Sequence, residues 1–417
     1  MVKSAGWEWE NTPLISALSI QVDLAFLLFE PLGGHVEAVP AVSSQTKAAL
    51  KPQAVTFSLQ AEVPVSSYNE WDPLEEVIVG RLEGATIPSG HISVISNLPP
   101  LAAKVFRLAG GFRYPNWMVR LAQRELDQFI HILEGEGITV RRPAIVDFGR
   151  PHRSPHWSAR GFSTACPRDI FLIIGNEIIE TPTCWRSRYF EAGAYRPLLK
   201  EYFLKGARWT SAPKPELTDR LFDYNYRIPR PKEPLRFVVN EFEPVFDAAD
   251  FVRCGRDLFV TRSNVTNKLG IEWLRRHLGS EFRIHELESR SRQPMHIDST
   301  FMPLAPGKVL VNPEYLDIER LPAILKTWDV LVAPRPDPIE GIMTKISMCS
   351  QWTSINVLML DERRVVVDSS QVTLVKALKD WGFMPILCAF LSYGAFGGSF
   401  HCATLDVRRR GNLQSYF

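Results

Sequence analysis

Near the end of the 417-residue chain a cysteine follows a histidine, in Gly397-Gly398-Ser399-Phe400-His401-Cys402-Ala403-Thr404. Two further stretches carry side chains that can do chemistry: Phe246-Asp247-Ala248-Ala249-Asp250 and Met295-His296-Ile297-Asp298. A thiolate is a strong nucleophile, an imidazole can move a proton near neutral pH, and a carboxylate can orient the imidazole or hold a cation. Far apart in sequence, these are the parts of a nucleophilic site that folding must assemble. An isolated cysteine is more often a small buried hydrophobe, and spacing alone leaves both readings open. The two glycines before Cys402 allow a tight turn or a close backbone approach to a ligand.

His296 and Asp298 are two residues apart, as half of a metal site would be, but no further histidine or cysteine stands at ligand spacing. The six cysteines contain no CxxC pair, which removes zinc ribbons and thioredoxin-type redox motifs, and they read as reduced thiols. Asp250, Arg168 and the run Arg408-Arg409-Arg410 read as structural ion pairs or solvated charge. Cys254 and Cys349 read as packing residues. His401 is expected to point away from Cys402 if the segment is extended, because neighbouring strand side chains alternate faces.

The elements that must position these residues recur along the chain. Short β-rich runs occur at Leu74–Gly80, Asp169–Gly175, Asp257–Val260, Gly307–Val311 and Arg364–Asp368. Each is followed by a helical stretch and a further strand signal. The helix ends fall before Ile138, Ala207, Phe282, Val330 and Pro385, most of them at a glycine. One helix shows its buried face plainly, with Ala122, Leu126, Phe129, Ile130 and Leu133 at helical spacing. A dinucleotide-binding sheet would place GxGxxG after its first strand, where this chain has Val79-Gly80-Arg81-Leu82-Glu83. Five α/β repeats around an axis are therefore expected, each giving one or two residues to a central site.

Composition sets the class. Hydrophobic residues make up 45% and charged residues 23%, the profile of a globular enzyme-sized protein. A net charge of +2, from 48 basic and 46 acidic residues, does not suggest a nucleic-acid partner. Leu14 to Phe29 is apolar but interrupted by Gln21 and Asp23 and too short to span a membrane. Neither a secretory nor a mitochondrial leader is recognisable, since Glu8 and Glu10 flank that stretch and no arginine precedes Arg81. Residues 1–63 read as a poorly ordered leader or a misassigned start, residues 64–417 as the catalytic domain, and the cytoplasm as the expected compartment.

Several long motifs then carry a resemblance. Val65-Ser66-Ser67-Tyr68-Asn69-Glu70-Trp71-Asp72-Pro73, Pro167-Arg168-Asp169, Gly175-Asn176-Glu177, Phe246–Asp250, Met295–Asp298, and Phe400-His401-Cys402 through Asp406–Gly411 resemble the arginine-dependent amidinotransferases. The similarity runs from about Pro64 to Phe417. It implies the pentein fold, an α/β propeller of five pseudo-symmetric ββαβ blades, and an enzyme without cofactor or metal. It implies that Cys402 attacks the guanidinium carbon of arginine and that His296 protonates the departing ornithine and later deprotonates an amine acceptor. Asp247 would orient His296 and grip the guanidinium, and Asp169 and Asp298 would bind the donor. Carboxylates this close to a thiol raise its pKa, so an imidazolium or the bound guanidinium must offset them.

The acceptor side departs from the glycine enzymes of this family. Where those carry an arginine after Asn-Pro-Asp, this chain has Asn312-Pro313-Glu314-Tyr315. Where they carry two serines before a tryptophan, it has Cys349-Ser350-Gln351-Trp352. Tyr315, Cys349, Ser350 and Met295 are thus the expected acceptor-side residues. A tyrosine hydroxyl cannot replace a charged bidentate fork. The Asn-Pro-Glu-aromatic segment and the closing Gln414-Ser415-Tyr416-Phe417 are more similar to the amidinotransferase of saxitoxin-type biosynthesis, whose acceptor lacks a carboxylate. Met295, in contrast, is what the glycine enzymes have. Glycine amidinotransferase, a guanidine hydrolase on the same fold and a non-enzymatic pentein remain the alternatives. A homodimer is one arrangement left open.

Overall fold

Runs such as Val77-Ile78-Val79 and Val365-Val366-Val367 are β-branched and apolar without alternation, the composition of strands covered on both faces. The computed structural model, which describes residues 63–417, places each such run as the middle strand of a three-stranded sheet. The leader reading of residues 1–63 falls almost wholly outside the described residues. Strand β1 (Leu74–Val79) is followed by helix α1 (Asn116–Gly135) and strand β2 (Thr139–Arg141). The second unit holds β3 (Phe171–Ile174), β4 (Glu177–Glu180), α2 (Arg196–Leu204) and β5 (Arg208–Ser211). The third holds β6 (Phe251–Cys254), β7 (Asp257–Thr261), α3 (Lys268–Leu278) and β8 (Arg283–Leu287). β9 (Phe301–Ala305), β10 (Lys308–Val311) and β11 (Asp329–Val332) form the fourth. The fifth is β12 (Leu358–Met359), β13 (Arg364–Asp368), α4 (Val372–Asp380) and β14 (Met384–Cys388).

The last strand, β15 (Thr404–Arg409), pairs antiparallel with β1, so the end of the chain completes the first sheet. All five sheets then share one pattern: an antiparallel outer strand, a middle strand, and a parallel third strand reached through the crossover. The five are separate sheets and none closes on itself among the described residues. This corrects the strand–helix–strand reading by adding an antiparallel strand to each unit, which precedes the middle one in four of them and comes from the end of the chain in the first. It also corrects the fourth helix, which is only the 3-10 turn Ala323–Thr327. That turn lies between Pro322 and Trp328, and five residues cannot complete two turns of α-helix.

In α1 the expected face is buried through Ala122, Leu126, Phe129 and Leu133, with Met118 added and Ile130 at the margin. Each such large apolar side chain removed from water contributes roughly 1.5–3 kcal/mol. Among the described residues no helix is long and apolar enough to cross a membrane.

What the fold does for chemistry happens just before the outer strands. Short turns lead into β3 (Pro167–Ile170), β6 (Ala248–Asp250), β9 (Ile297–Ser299) and β12 (Gln351–Ile355), and a turn through His401–Ala403 leads into β15. Asp169, Asp247, His296 with Asp298, Asn356 and Cys402 sit in or beside these five turns.

Candidate active site

The turns bring the sequence-predicted residues together. His296 Nε2 lies 3.2 Å from Asp247 Oδ2, and His296 Nδ1 lies 3.7 Å from Asp169 Oδ1. The Cys402 thiol donates to Asp298 Oδ2 at 3.3 Å. All five residues are buried. His296 sits at φ +57°, a left-handed conformation that a residue with a Cβ rarely adopts and that marks functional sites. Its ring is thereby held between two carboxylates.

A cleft of about 90 Å³ opens onto this centre. Asp169, His296, Asp298 and Cys402 line it, and so do Met295, Tyr315, Cys349 and Ser350. A larger chamber of about 520 Å³ adjoins it and shares Cys349, Ser350, Thr353 and Gly398. Cys349 is therefore half-buried at the wall of the cleft, and the packing reading holds for Cys254 alone, which is fully buried in the core. Gly398 is required by contact: a Cβ there would lie 2.3 Å from Cys402 Cβ and 3.0 Å from its sulfur.

Electrostatics divide the site sharply. Burial opposes charge on His296, but Asp169, the hydrogen bond that its ring donates to Asp247 and the charge of Asp250 outweigh it and lift the imidazole pKa to about 10. Burial, then Asp298 and Asp169, pushes the Cys402 thiol well above its ordinary value. Burial also raises Asp169, against the pull of His296 and Arg188. Asp298 goes the other way: burial opposes ionisation, but the hydrogen bond and charge of His401 hold it below its ordinary value. At neutral pH the site thus holds an imidazolium beside a thiol. An imidazole raised above 6.5 stabilises the fold fully below that pH and loses the contribution as pH rises through about 10. In the free protein the His296 ring should stay protonated at pH 8 and titrate near 10 by NMR, whereas a midpoint near 6.5 would mean that the carboxylates do not act on it.

Asp169, His296 and Cys402 also offer donor atoms within 4.8 Å of one another. Metal ligands must give up their protons. An imidazole held protonated to about pH 10 beside a thiol raised above its ordinary value does not fit that requirement, and it does fit an acid beside a latent nucleophile.

Two carboxylates each keep one oxygen without a hydrogen bond, and of the two residues Asp169 lines the cleft whereas Asp247 does not. Asp169 Oδ1 and Asp247 Oδ1 are buried with no hydrogen-bond partner, although Asp169 Oδ2 is held by Arg188 at 2.5 Å and Asp247 Oδ2 by His296. Such carboxylates suit the planar fork of a guanidinium. Arg188 itself is spent on Asp169, Glu191 and the Cys166 carbonyl.

Arg168 and the arginine run form the expected structural ion pairs, whereas Asp250 is corrected: it is fully buried and held by hydroxyls, neither ion-paired nor solvated. Asp250 accepts from Ser263 and Thr266, Arg168 binds Glu70 and Asp406, and Arg409 binds Asp406. Arg408 and Arg410 pair with Glu75 nearer the surface. His401 lies in a turn rather than an extended strand, so the alternation of faces expected of it does not apply. It does not leave the site: its Nδ1 lies 2.9 Å from the Asp298 oxygen that receives the thiol, and its Nε2 3.2 Å from Glu70. Sequence reasoning passed over Asn356, Arg188 and Glu70. Only the Arg188-x-x-Glu191 spacing could have flagged one of them, as an ion pair along one turn.

No protein-family model matches the chain. It is 49% identical over 353 residues to the L-arginine:L-lysine amidinotransferase of Pseudomonas savastanoi pv. phaseolicola, covering 85% of this chain and 96% of the relative. It is 44% identical over 401 residues to the mitochondrial glycine amidinotransferase of Danio rerio, covering 94% of both chains. Among solved structures it is similar to an amidinotransferase from Microseira wollei in the saxitoxin biosynthetic pathway, with 58% identity and a TM-score of 0.79 over 85% of this chain and all of that one. Identity of this extent over nearly whole chains, on the pentein fold and around an assembled Cys, His and Asp centre, places this chain in the amidinotransferase family.

Proposed function

We propose that the chain moves the amidino group of L-arginine to an amine through a covalent intermediate on Cys402, releasing L-ornithine. The observation that supports this most is the pair of unpartnered buried carboxylate oxygens, on Asp169 and Asp247, beside a protonated imidazole and a thiol. In this reading the five sheets stand as five blades around the centre, each contributing through the turn ahead of its outer strand.

A guanidinium carbon is a poor electrophile, because its charge is shared over three nitrogens. The carboxylates of Asp169, Asp247 and Asp298 fix its plane, and its positive charge offsets the repulsion that keeps Cys402 protonated. The thiol passes its proton to Asp298 Oδ2, which accepts from it at 3.3 Å and returns it when the cycle closes, and the sulfur attacks the guanidinium carbon. His296 gives its proton to the ornithine nitrogen as the carbon–nitrogen bond breaks. Ornithine departs and the amidino group stays on sulfur. An acceptor amine then attacks the same carbon, passes a proton to His296, and the carbon–sulfur bond breaks to restore the thiolate. Water in place of the amine would make this a hydrolase. Incubation with labelled arginine, with and without a panel of amines, tests the reading: guanidinylated amine is the expected product, and urea or citrulline from arginine alone would contradict it.

For the acceptor we favour an amine without a carboxylate. Arg188 is the one arginine or lysine lining the cleft among the described residues, and four of its five N–H donors are engaged on Asp169, Glu191 and the Cys166 carbonyl. Arg320 and Arg335 lie exposed beside Asp317 and Glu314 and do not line it. Arginine is held by its cationic end, whereas glycine has little but its carboxylate to be held by. An underpaired carboxylate costs roughly 1.5–3 kcal/mol, about ten- to a hundredfold in specificity. Tyr315→Arg should therefore shift preference towards glycine by that factor, measured as the ratio of kcat/KM values for glycine and a carboxylate-free amine. A wild-type protein that uses glycine or lysine fastest of the panel would instead support the activity in the names of the Danio and Pseudomonas relatives.

A further inference from the structure

We infer that Asn356 is a further catalytic residue, whose side-chain N–H donates to the Cys402 sulfur as negative charge builds there. The inference rests on the reading of Cys402 as the nucleophile. Asn356 ends the turn Gln351–Ile355 immediately before β12, and it is buried. Its Oδ1 accepts from two consecutive backbone groups, the N–H of His401 and the N–H of Cys402, both at 3.1 Å. Those two donors decide which way the amide faces, because a flipped amide would set its NH₂ against two N–H groups. With the oxygen so occupied, Nδ2 must point at the thiol, and it lies 3.3 Å from Cys402 Sγ.

The surroundings make this contact matter. Asp298 stands 3.3 Å from the sulfur on one side. Asp169 is the second carboxylate at the thiol, and His296 supplies a cation within 4.8 Å that is committed to proton transfer. Cys166 and Cys349, the other titratable groups acting on the thiol, add no positive charge. Among the described residues, Asn356 is the one whose side-chain nitrogen is within hydrogen-bond distance of the sulfur. A fixed donor aimed at an atom that gains charge needs no reorganisation when the charge appears. Asn356 thus does two separable things: its oxygen clamps the turn that carries the nucleophile, and its nitrogen favours the thiolate.

Asn356→Asp separates them, keeping an acceptor for the two backbone N–H groups while removing the donor. Three quantities are read: the single-turnover rate of ornithine release from arginine alone, the arginine concentration that half-saturates it, and the pH dependence of Cys402 alkylation by iodoacetamide. The single-turnover rate should fall by about a hundredfold with little change in half-saturation, since removing one such donor typically has an effect of that order. Alkylation should shift to higher pH. Asn356→Ala, which adds no charge, should slow the same step, and its alkylation profile serves if the aspartate variant does not fold. Wild-type-like turnover and alkylation in a folded Asn356→Asp protein would overturn the inference and leave Asn356 as a backbone clamp. A loss confined to arginine affinity would overturn it too. A wild-type protein that forms no adduct on Cys402 would instead overturn the nucleophile reading, and this inference with it.

Discussion

Cys402→Ser is expected to abolish amidino transfer, with ornithine release from arginine falling by about a thousandfold or more. Serine fills nearly the same volume and can still donate to Asp298, so the fold should stand. Its hydroxyl, however, is far harder to ionise than a thiol, and the carboxylates that already raise the thiol would raise it further. The nearest base is no help, because the carboxylates around His296 keep it protonated to about pH 10. Single-turnover ornithine release with thermal unfolding in parallel checks this, and a variant releasing ornithine at more than a few per cent of the wild-type rate would count against a sulfur nucleophile.

His296→Asn carries the second large effect. In the proposed mechanism one imidazole serves as acid towards ornithine and as base towards the acceptor, so both half-reactions should slow by a factor on the order of a hundred or more. Arginine should still bind, because Asp169, Asp247 and Asp298 remain. Stability should fall as well. The imidazolium is the partner of Asp247 Oδ2 and faces Asp169 Oδ1 at 3.7 Å, and removing one member of a buried charged group typically costs about 3–5 kcal/mol. A lowered unfolding temperature, partly restored by bound arginine, is the expected signature. If the variant released ornithine at an undiminished rate, another group would have to be the acid.

How much of this was legible beforehand follows from what each residue offers. Cys402, His296 and Asp247 were picked out through the resemblance their motifs carry, because residue type and spacing alone left the cysteine open to a packing reading. The middle strands were plain, because Val365-Val366-Val367 has no polar face to confuse the reading. The outer strands were not: β9 carries Pro303 in its middle, and β15 reads Leu-Asp-Val-Arg, with Asp406 buried because Arg168, Arg253 and Arg409 all meet its carboxylate. Glu70 and Arg253 could not be read as partners across 183 residues, yet together with Arg168, Asp406 and His401 they form the buried network beneath the thiol. Asn356 was the hardest to see. An amide 46 residues from the cysteine is unremarkable until the turn sets its oxygen on two backbone N–H groups and its nitrogen on the sulfur.

The central claim, a covalent amidino group on Cys402, is tested most directly by mixing the protein with arginine alone, quenching in acid and mapping peptide masses. The account predicts one added amidino group on the peptide bearing Cys402, matched by about one equivalent of ornithine and lost on addition of an amine. An adduct on Cys349 or Cys166, or ornithine released with no adduct on any cysteine, would contradict it.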